Sequence, residues 1–222
     1  ALIEEAVRRA DAAVVSIFVN PTQFGPNEDF SRYPRTFDAD LCACSEAGAT
    51  LVFAPNASEM YPPGERTRVT VSGLTDELCG RSRPGHFEGV ASIGAKLLSL
   101  TGPALAVFGR KDYQQLKVIE RMVEDLFLPI EVVAHPTVRE ADGLALSSRN
   151  AYLSADDRAR AVTIPSALSE AVQSFTQGER RAGALRERVE RRLGDAGLRP
   201  GYVVIGDADT IAPLAAEAVL GG

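Results

Sequence analysis

Three short segments bring together the residue types that phosphate and carboxylate chemistry needs. Phe108-Gly-Arg-Lys-Asp-Tyr-Gln-Gln-Leu116 reads as a strand end, a glycine turn and a helix start. A glycine at 109 lets a ligand approach the backbone, and a helix start offers unbonded N–H groups and a positive dipole end to an anion. Lys111 adds a mobile cation suited to phosphate. Gln115 is four residues on and is expected on the same helical face. The same residues would equally make an exposed helix start with solvated glutamines. Arg139-Glu-Ala-Asp-Gly-Leu-Ala-Leu-Ser-Ser-Arg-Asn150 holds a turn signal at Asp142-Gly143, then two hydroxyls beside a guanidinium. That grouping can bind phosphate by hydroxyl, backbone and charge-assisted bonds together, or serve as a polar interdomain loop. In Ser16-Ile-Phe-Val-Asn-Pro-Thr-Gln-Phe24, proline stops a strand and fixes the loop carrying Gln23. A glutamine amide donates and accepts without charge, so it suits a hydroxyl or a carboxylate; a capped strand end without a ligand is the plainer reading.

Other polar features read more simply. His86, after Arg83-Pro84-Gly85, is a helix-entry residue and is kept out of the site; His135 ends a strand. Neither histidine has a metal-ligand spacing. Gly25 to Asp38 reads as a surface flap or a loop, and Arg180 to Arg192 as a solvated helix face with internal Glu partners.

These segments need a scaffold that alternates strand and helix. A helix from Ala1 to about Asp11 opens the chain. Val14 to Val19 is expected as a strand covered on both faces and Thr50 to Ala54 as a second buried strand, with Leu105 to Phe108 and Ile130 to Ala134 as a third and a fourth strand. Between them, helices are predicted over Thr36 to Ala47, over Phe87 to Leu100 and over Asp112 to Phe127. The second of these carries a stripe of Val90, Ile93, Leu97 and Leu100. The third carries Leu116, Ile119, Met122, Val123 and Leu126. The alternation predicts an α/β fold with a Rossmann-like parallel sheet, whose ligands sit at the carboxyl ends of the strands. Helices over Ala155–Thr176 and Arg181–Ala196 and a strand over Gly201–Gly206 predict a smaller C-terminal α+β domain, residues 137–222 after 1–136.

The whole-chain numbers remove several classes of function. The 222 residues suffice for a buried core without staples, and 45% hydrophobic with 24% charged residues is ordinary for a globular protein. A net charge of −6 argues against a general grip on nucleic acid. No apolar run reaches the roughly 18 residues of a membrane span. Three cysteines fit neither a disulfide framework nor a zinc site, which implies a reducing, cytoplasmic setting.

Taken in order, four stretches resemble the pantothenate synthetase family. They are Ser16 to Phe24 with the Tyr33-Pro34-Arg35 loop, Arg83-Pro-Gly-His-Phe-Glu-Gly-Val90, Gly109-Arg-Lys-Asp-Tyr-Gln-Gln115 and Arg139 to Leu153. The resemblance implies a Rossmann-like fold of the nucleotidyltransferase superfamily. It further implies joining of pantoate to β-alanine at the expense of ATP and Mg²⁺, through a pantoyl adenylate, and a homodimer. By the same resemblance Gly109, Arg110, Lys111 and Asp112 contact ATP, as do Val138, Leu146, Ser147, Ser148 and Arg149. Among these, Lys111, Ser147, Ser148 and Arg149 carry the catalytic roles. Gln23 and Gln115 hold pantoate, Gln23 also meets β-alanine, and Val90 and Ile93 line the apolar side of the pantoate pocket. Arg110 stands where the family often has an acidic residue. The expectation is that the Gly109 turn and the Ser147 pair serve one triphosphate.

The family's His-x-Gly-His signature does not occur in the sequence. With Ala1 opening in a helix and Ala218 to Gly222 reading as the start of a strand, the chain is expected to be part of a longer protein. That protein would also carry the first, central strand of the sheet and the last C-terminal strands. The bare 222-residue polypeptide is then expected to show little adenylation and to leave strand edges unpaired. The alternatives are a catalytically inactive homologue acting as a binding or assembly subunit, or another nucleotidyltransferase of the superfamily.

Overall fold

Strand and helix do alternate over the first 136 residues, in the order read from the sequence. The computed structural model describes residues 1–221, so Gly222, the last residue of the expected closing strand, lies outside it. The chain forms two compact units, Ala1–Pro136 and Thr137 onward. In chain order the first holds α1 (Leu2–Arg9), β1 (Val14–Ser16), α2 (Phe37–Glu46), β2 (Leu51–Phe53), α3 (Ala57–Met60), α4 (Cys79–Ser82), α5 (His86–Thr101), β3 (Ala104–Gly109), α6 (Tyr113–Asp125) and β4 (Ile130–His135).

The pairing is parallel throughout, with Val14 opposite Leu51 and Ala104 opposite Ile130. It forms two two-stranded sheets, β1–β2 and β3–β4, rather than one continuous sheet. The expectation that the first two strands are buried fails at β1 and β2. Each is three residues long, and Val14 and Leu51 are about half exposed.

The core of this unit lies where α5 and α6 pack together. Phe87, Val90, Ala91 and Leu98 of α5 meet Val118, Ile119, Met122 and Val123 of α6. Burying each of the larger side chains contributes about 1.5–3 kcal/mol. A Cβ on Gly94 would stand 2.8 Å from Ile119 Cδ1, so the two helices approach closely there. Two stripe assignments need correction. Leu100 follows buried Leu98 by two residues, about 200° around the helix, and is 67% exposed. Leu126 lies beyond the last regular turn of α6 and is 47% exposed.

The second unit contains α7 (Ala155–Ala161), α8 (Thr163–Thr176) and α9 (Ala182–Asp195). The single helix expected over 155–176 breaks at Val162, because Pro165 has no N–H for the Ala161 carbonyl and its ring crowds that group. Ala167 of α8 packs against Val189 and Leu193 of α9, with Val203 against them. The strand expected over Gly201–Gly206 does not form. Gly206 makes an isolated bridge to Pro213, which has no N–H to extend a ladder.

Candidate active site

Asn20 organises the first cluster. It is 3% exposed and directly precedes the 3₁₀ turn Pro21–Gln23. Its Oδ1 accepts from the Thr22 N–H at 3.3 Å, the Thr22 hydroxyl at 2.9 Å and the Tyr61 hydroxyl at 2.8 Å. Its Nδ2 donates to the Gly89 carbonyl at 3.2 Å and to Gln23 Oε1 at 2.8 Å. A backbone N–H can only donate, so the Thr22 contact fixes which end of Asn20 accepts. Gln23 therefore has its oxygen engaged, and its Nε2 remains as the donor toward a ligand. Tyr61 is held in turn by the Lys96 ammonium, 4.3 Å from its ring centre. Gly89 of α5 permits the close approach of the turn, since a Cβ there would lie 2.6 Å from the Thr22 carbonyl oxygen.

The start of α5 adds residues that the sequence pattern alone leaves outside the site. Gly85, at φ +83°, takes the left-handed conformation that a side chain resists, and it turns His86 into the first position of the helix. His86 Nδ1 lies 2.8 Å from the Gln23 carbonyl oxygen, and Arg83 Nη1 lies 3.0 Å from His86 Nε2. Arg83 also donates to Glu28 at 2.7 and 2.5 Å and to the Gln23 carbonyl at 3.2 Å. The Arg83 hydrogen bonds hold the Glu28 carboxyl below its ordinary range. Burial, then the Arg83 charge, hold His86 below its ordinary value, against the pull of the Gln23 carbonyl. The signal available in the sequence was the Arg-Pro-Gly-His run itself, whose glycine places an arginine and a histidine at one helix entrance. Glu28 belongs to the loop over 25–36 ahead of α2, and this loop packs on itself. Phe24 meets Phe30 and Tyr33 edge-on, and Arg35 covers Phe30.

At the end of β3, Gly109 has φ −83° and ψ 135°, an extended backbone that any residue adopts. A Cβ there would meet only Leu2 Cδ2, at 3.8 Å. The fold itself does not demand glycine. Arg110, Lys111 and Asp112 form a 3₁₀ turn ahead of α6, so the shared α-helical face expected for Lys111 and Gln115 is replaced by two successive elements. Lys111 is exposed, with Asp112 Oδ1 3.5 Å from its Nζ. The two glutamines divide sharply. Gln114 is buried, donates to the Leu74 and Glu77 carbonyls and accepts from the Cys79 N–H. Gln115, half-buried on α6, has no such anchors among the described residues. Both expected pocket-wall residues of α5 are buried, Val90 at 4% and Ile93 at 6% exposure.

In the second unit, Leu146 N–H donates to the Val138 carbonyl at 2.9 Å and closes a hairpin-like turn. Leu146 is more than half exposed. Ser147 caps the short turn Ser148–Tyr152, its Oγ accepting from the Arg149 N–H at 3.3 Å, which leaves the hydroxyl proton to donate. Asn150 Nδ2 ties this turn to Glu140 at 2.7 Å and to the Ala145 carbonyl at 3.1 Å. Arg158 binds Glu140 at 2.7 Å and Asp142 at 2.5 Å. Those bonds lower both carboxyls and raise the guanidinium. The loop thus has an ionic base, with Ser147 half-buried and Ser148 and Arg149 exposed.

Among the described residues no group of three His, Cys, Asp or Glu side chains is placed to hold a metal ion, and no helix is long and apolar enough to cross a membrane. A groove of about 490 Å³ between the end of α6 and β4, lined by Val123, Phe127, Leu128 and Ile130, contains none of the candidate residues.

The family model described as Pantoate-beta-alanine ligase matches residues 1–220. The pantothenate synthetase of Myxococcus xanthus (strain DK1622) is 52% identical over 218 residues, 98% of this chain and 75% of that protein. The pantothenate synthetase of Pseudomonas fluorescens (strain Pf0-1) is 52% identical over 219 residues, 98% of this chain and 77% of that protein. A crystal structure of pantothenate synthetase from Thermus thermophilus superposes with a TM-score of 0.94 at 47% identity, covering 98% of this chain and 79% of that one. The pantoate-beta-alanine ligase of Francisella tularensis, solved with β,γ ATP and β-alanine, superposes with a TM-score of 0.72 at 33% identity, covering 86% of this chain and 71% of that one. With its motifs, its fold and its sequence in agreement, the chain belongs to the pantoate–β-alanine ligase family.

Proposed function

We propose that this protein joins pantoate to β-alanine at the expense of ATP, giving pantothenate, AMP and pyrophosphate. Family membership across residues 1–220 carries the assignment. A carboxylate is a poor acyl donor, because its charge repels a nucleophile and its oxygen leaves badly. Attack of a pantoate carboxylate oxygen on the α-phosphorus expels pyrophosphate and forms pantoyl adenylate. The neutral β-alanine amine then attacks the acyl carbon, AMP departs with the electron pair of the C–O bond, and the nitrogen gives up a proton.

In this reading Gln23 Nε2 donates to pantoate, its direction fixed by Asn20, and Gln115 provides the second amide. Gln23 also borders the path of β-alanine. Gly109, Arg110, Lys111 and Asp112 contact ATP, and the mobile Lys111 ammonium offsets charge that builds on phosphate oxygens. Val138 contributes a backbone contact, its carbonyl also accepting from the Leu146 N–H. Leu146, Ser147, Ser148 and Arg149 contact ATP, Ser147 through its hydroxyl proton. Mg²⁺ enters as part of the nucleotide complex, a role that suits an ion held mainly by phosphates and water. Residues 1–136 serve as the nucleotide- and pantoate-binding domain, and residues 137–222 as the domain carrying the Ser-Ser-Arg-Asn loop. A cytoplasmic homodimer completes the reading; free cysteines 42, 44 and 79 suit a reducing compartment.

The test is AMP release measured with each acceptor omitted in turn. Full AMP release requires both pantoate and β-alanine, and release indifferent to either one overturns the assignment. Light scattering on the purified protein checks the dimer.

A further inference from the structure

His86 makes the most consequential contacts of any titratable group outside the segments first singled out. A guanidinium has donors only, so Arg83 Nη1, 3.0 Å from His86 Nε2, makes that nitrogen the acceptor. The ring proton then belongs on Nδ1, where it donates to the Gln23 carbonyl at 2.8 Å. One neutral tautomer satisfies both contacts, and a second proton would set N–H against N–H. Arg83 is itself fixed, because Glu28 takes its Nε at 2.7 Å and its Nη2 at 2.5 Å. Its Nη2 also donates to the same Gln23 carbonyl at 3.2 Å. Gln23 is thus gripped at both ends, its backbone by His86 and Arg83 and its side-chain oxygen by Asn20.

We propose that His86 is a positioning residue for pantoate. Locked by Arg83 as the Nδ1–H tautomer, it fixes the Gln23 backbone so that Gln23 Nε2 meets the substrate. Through Arg83 and Glu28 it couples that position to the 25–36 loop. The proposal rests on the pantoate role given to Gln23 above.

Steady-state kinetics of the full-length protein with pantoate and ATP varied separately provide the test, alongside calorimetric titration of pantoate in the presence of a non-hydrolysable ATP analogue. His86→Leu removes both ring contacts and raises the pantoate KM about 10-fold, the loss of roughly one hydrogen bond, with the ATP KM within about 2-fold of wild type. His86→Asn keeps an N–H near the place of Nδ1 and recovers most of that loss. Glu28→Gln weakens the hold on Arg83 and raises the pantoate KM about 3-fold. The wild-type pantoate KM rises on acidification as the imidazole takes its second proton, at a pH that burial holds below the ordinary histidine value, while His86→Asn stays flat over that range. Arg83 opposes that protonation, and Glu28, Asp112 and the Gln23 carbonyl favour it. An unchanged pantoate KM in His86→Leu overturns the proposal. So does a joint rise of both KM values with a lower melting temperature, or an Asn variant no better than Leu. Should His86→Leu not fold, His86→Asn and Glu28→Gln carry the same comparison. A full-length wild-type protein that neither binds nor consumes pantoate overturns the functional reading first, before any variant is made.

Discussion

At the scale of single residues, the candidate site is a matter of which end of a group donates. Asn20→Asp isolates that point. The carboxylate cannot donate to Gln23 Oε1 or to the Gly89 carbonyl, so the Gln23 amide rotates and presents its oxygen to the ligand. Pantoate binding should weaken about 10–100-fold, read by calorimetry, with a stability loss of about 1–3 kcal/mol from the unpaired buried groups. Lys111→Ala is the contrasting case. Its exposed side chain is paired with Asp112 alone among the described residues, at 3.5 Å, so the melting temperature should stay within about 1 °C of wild type. Pyrophosphate release should nevertheless fall about 100-fold or more. Wild-type rates in that variant would place the phosphates elsewhere.

At the scale of elements, glycine spacing on α5 sets how near the Gln23 turn can come. Gly89→Ala puts a methyl group 2.6 Å from the Thr22 carbonyl oxygen, and backbone cannot swing aside as a side-chain end can. A stability loss of about 1–3 kcal/mol by denaturant titration is expected, with a raised pantoate KM and an unchanged ATP KM. Gly194→Ala in α9 is its opposite, since nothing lies within 4 Å of the new methyl. It should stabilise by about 0.5–1 kcal/mol. This contrast also marks what is legible in the sequence. Apolar spacing places α5, α6 and β4 within about two residues, because local pattern and burial agree there. Leu100 escapes it because it lies on the far side of α5 from buried Leu98, and Leu126 because it sits past the last regular turn of α6. His86 escapes it because the carbonyl facing its Nδ1 belongs to Gln23, 63 positions away in sequence. Gln114 and Gln115 are chemically identical and adjacent. Only the rotation of α6 separates the buried one from the available one.

At the scale of the whole molecule, acid should act through two populations of groups. Glu28, Glu65, Glu140, Asp142 and Asp157 are all held below their ordinary values, chiefly by arginine hydrogen bonds or, for Asp157, by Ser154 first; Glu179 is lowered to about 2 by Arg181. A lowered carboxyl contributes stability above its unfolded value, near 4 to 4.5, and that contribution is lost as the pH falls through its folded value. His86 is also lowered, so the unfolded chain takes up its proton first and stability declines once the pH drops below 6.5. Thermal melts across pH 8 to 3 should therefore show a shallow decline below 6.5, absent in His86→Asn, and a steeper one below about 4.5. A melting temperature that rises on acidification through pH 6 would contradict the sign of the His86 shift. The loop over 25–36 carries one more opportunity. Its Phe30 and Tyr33 pack on the preceding Phe24, in a chain with no tryptophan. An indole introduced by Phe30→Trp would be the one tryptophan among these 222 residues, so fluorescence excited at the red edge, away from the tyrosines, would give an optical readout of that segment without any attached dye.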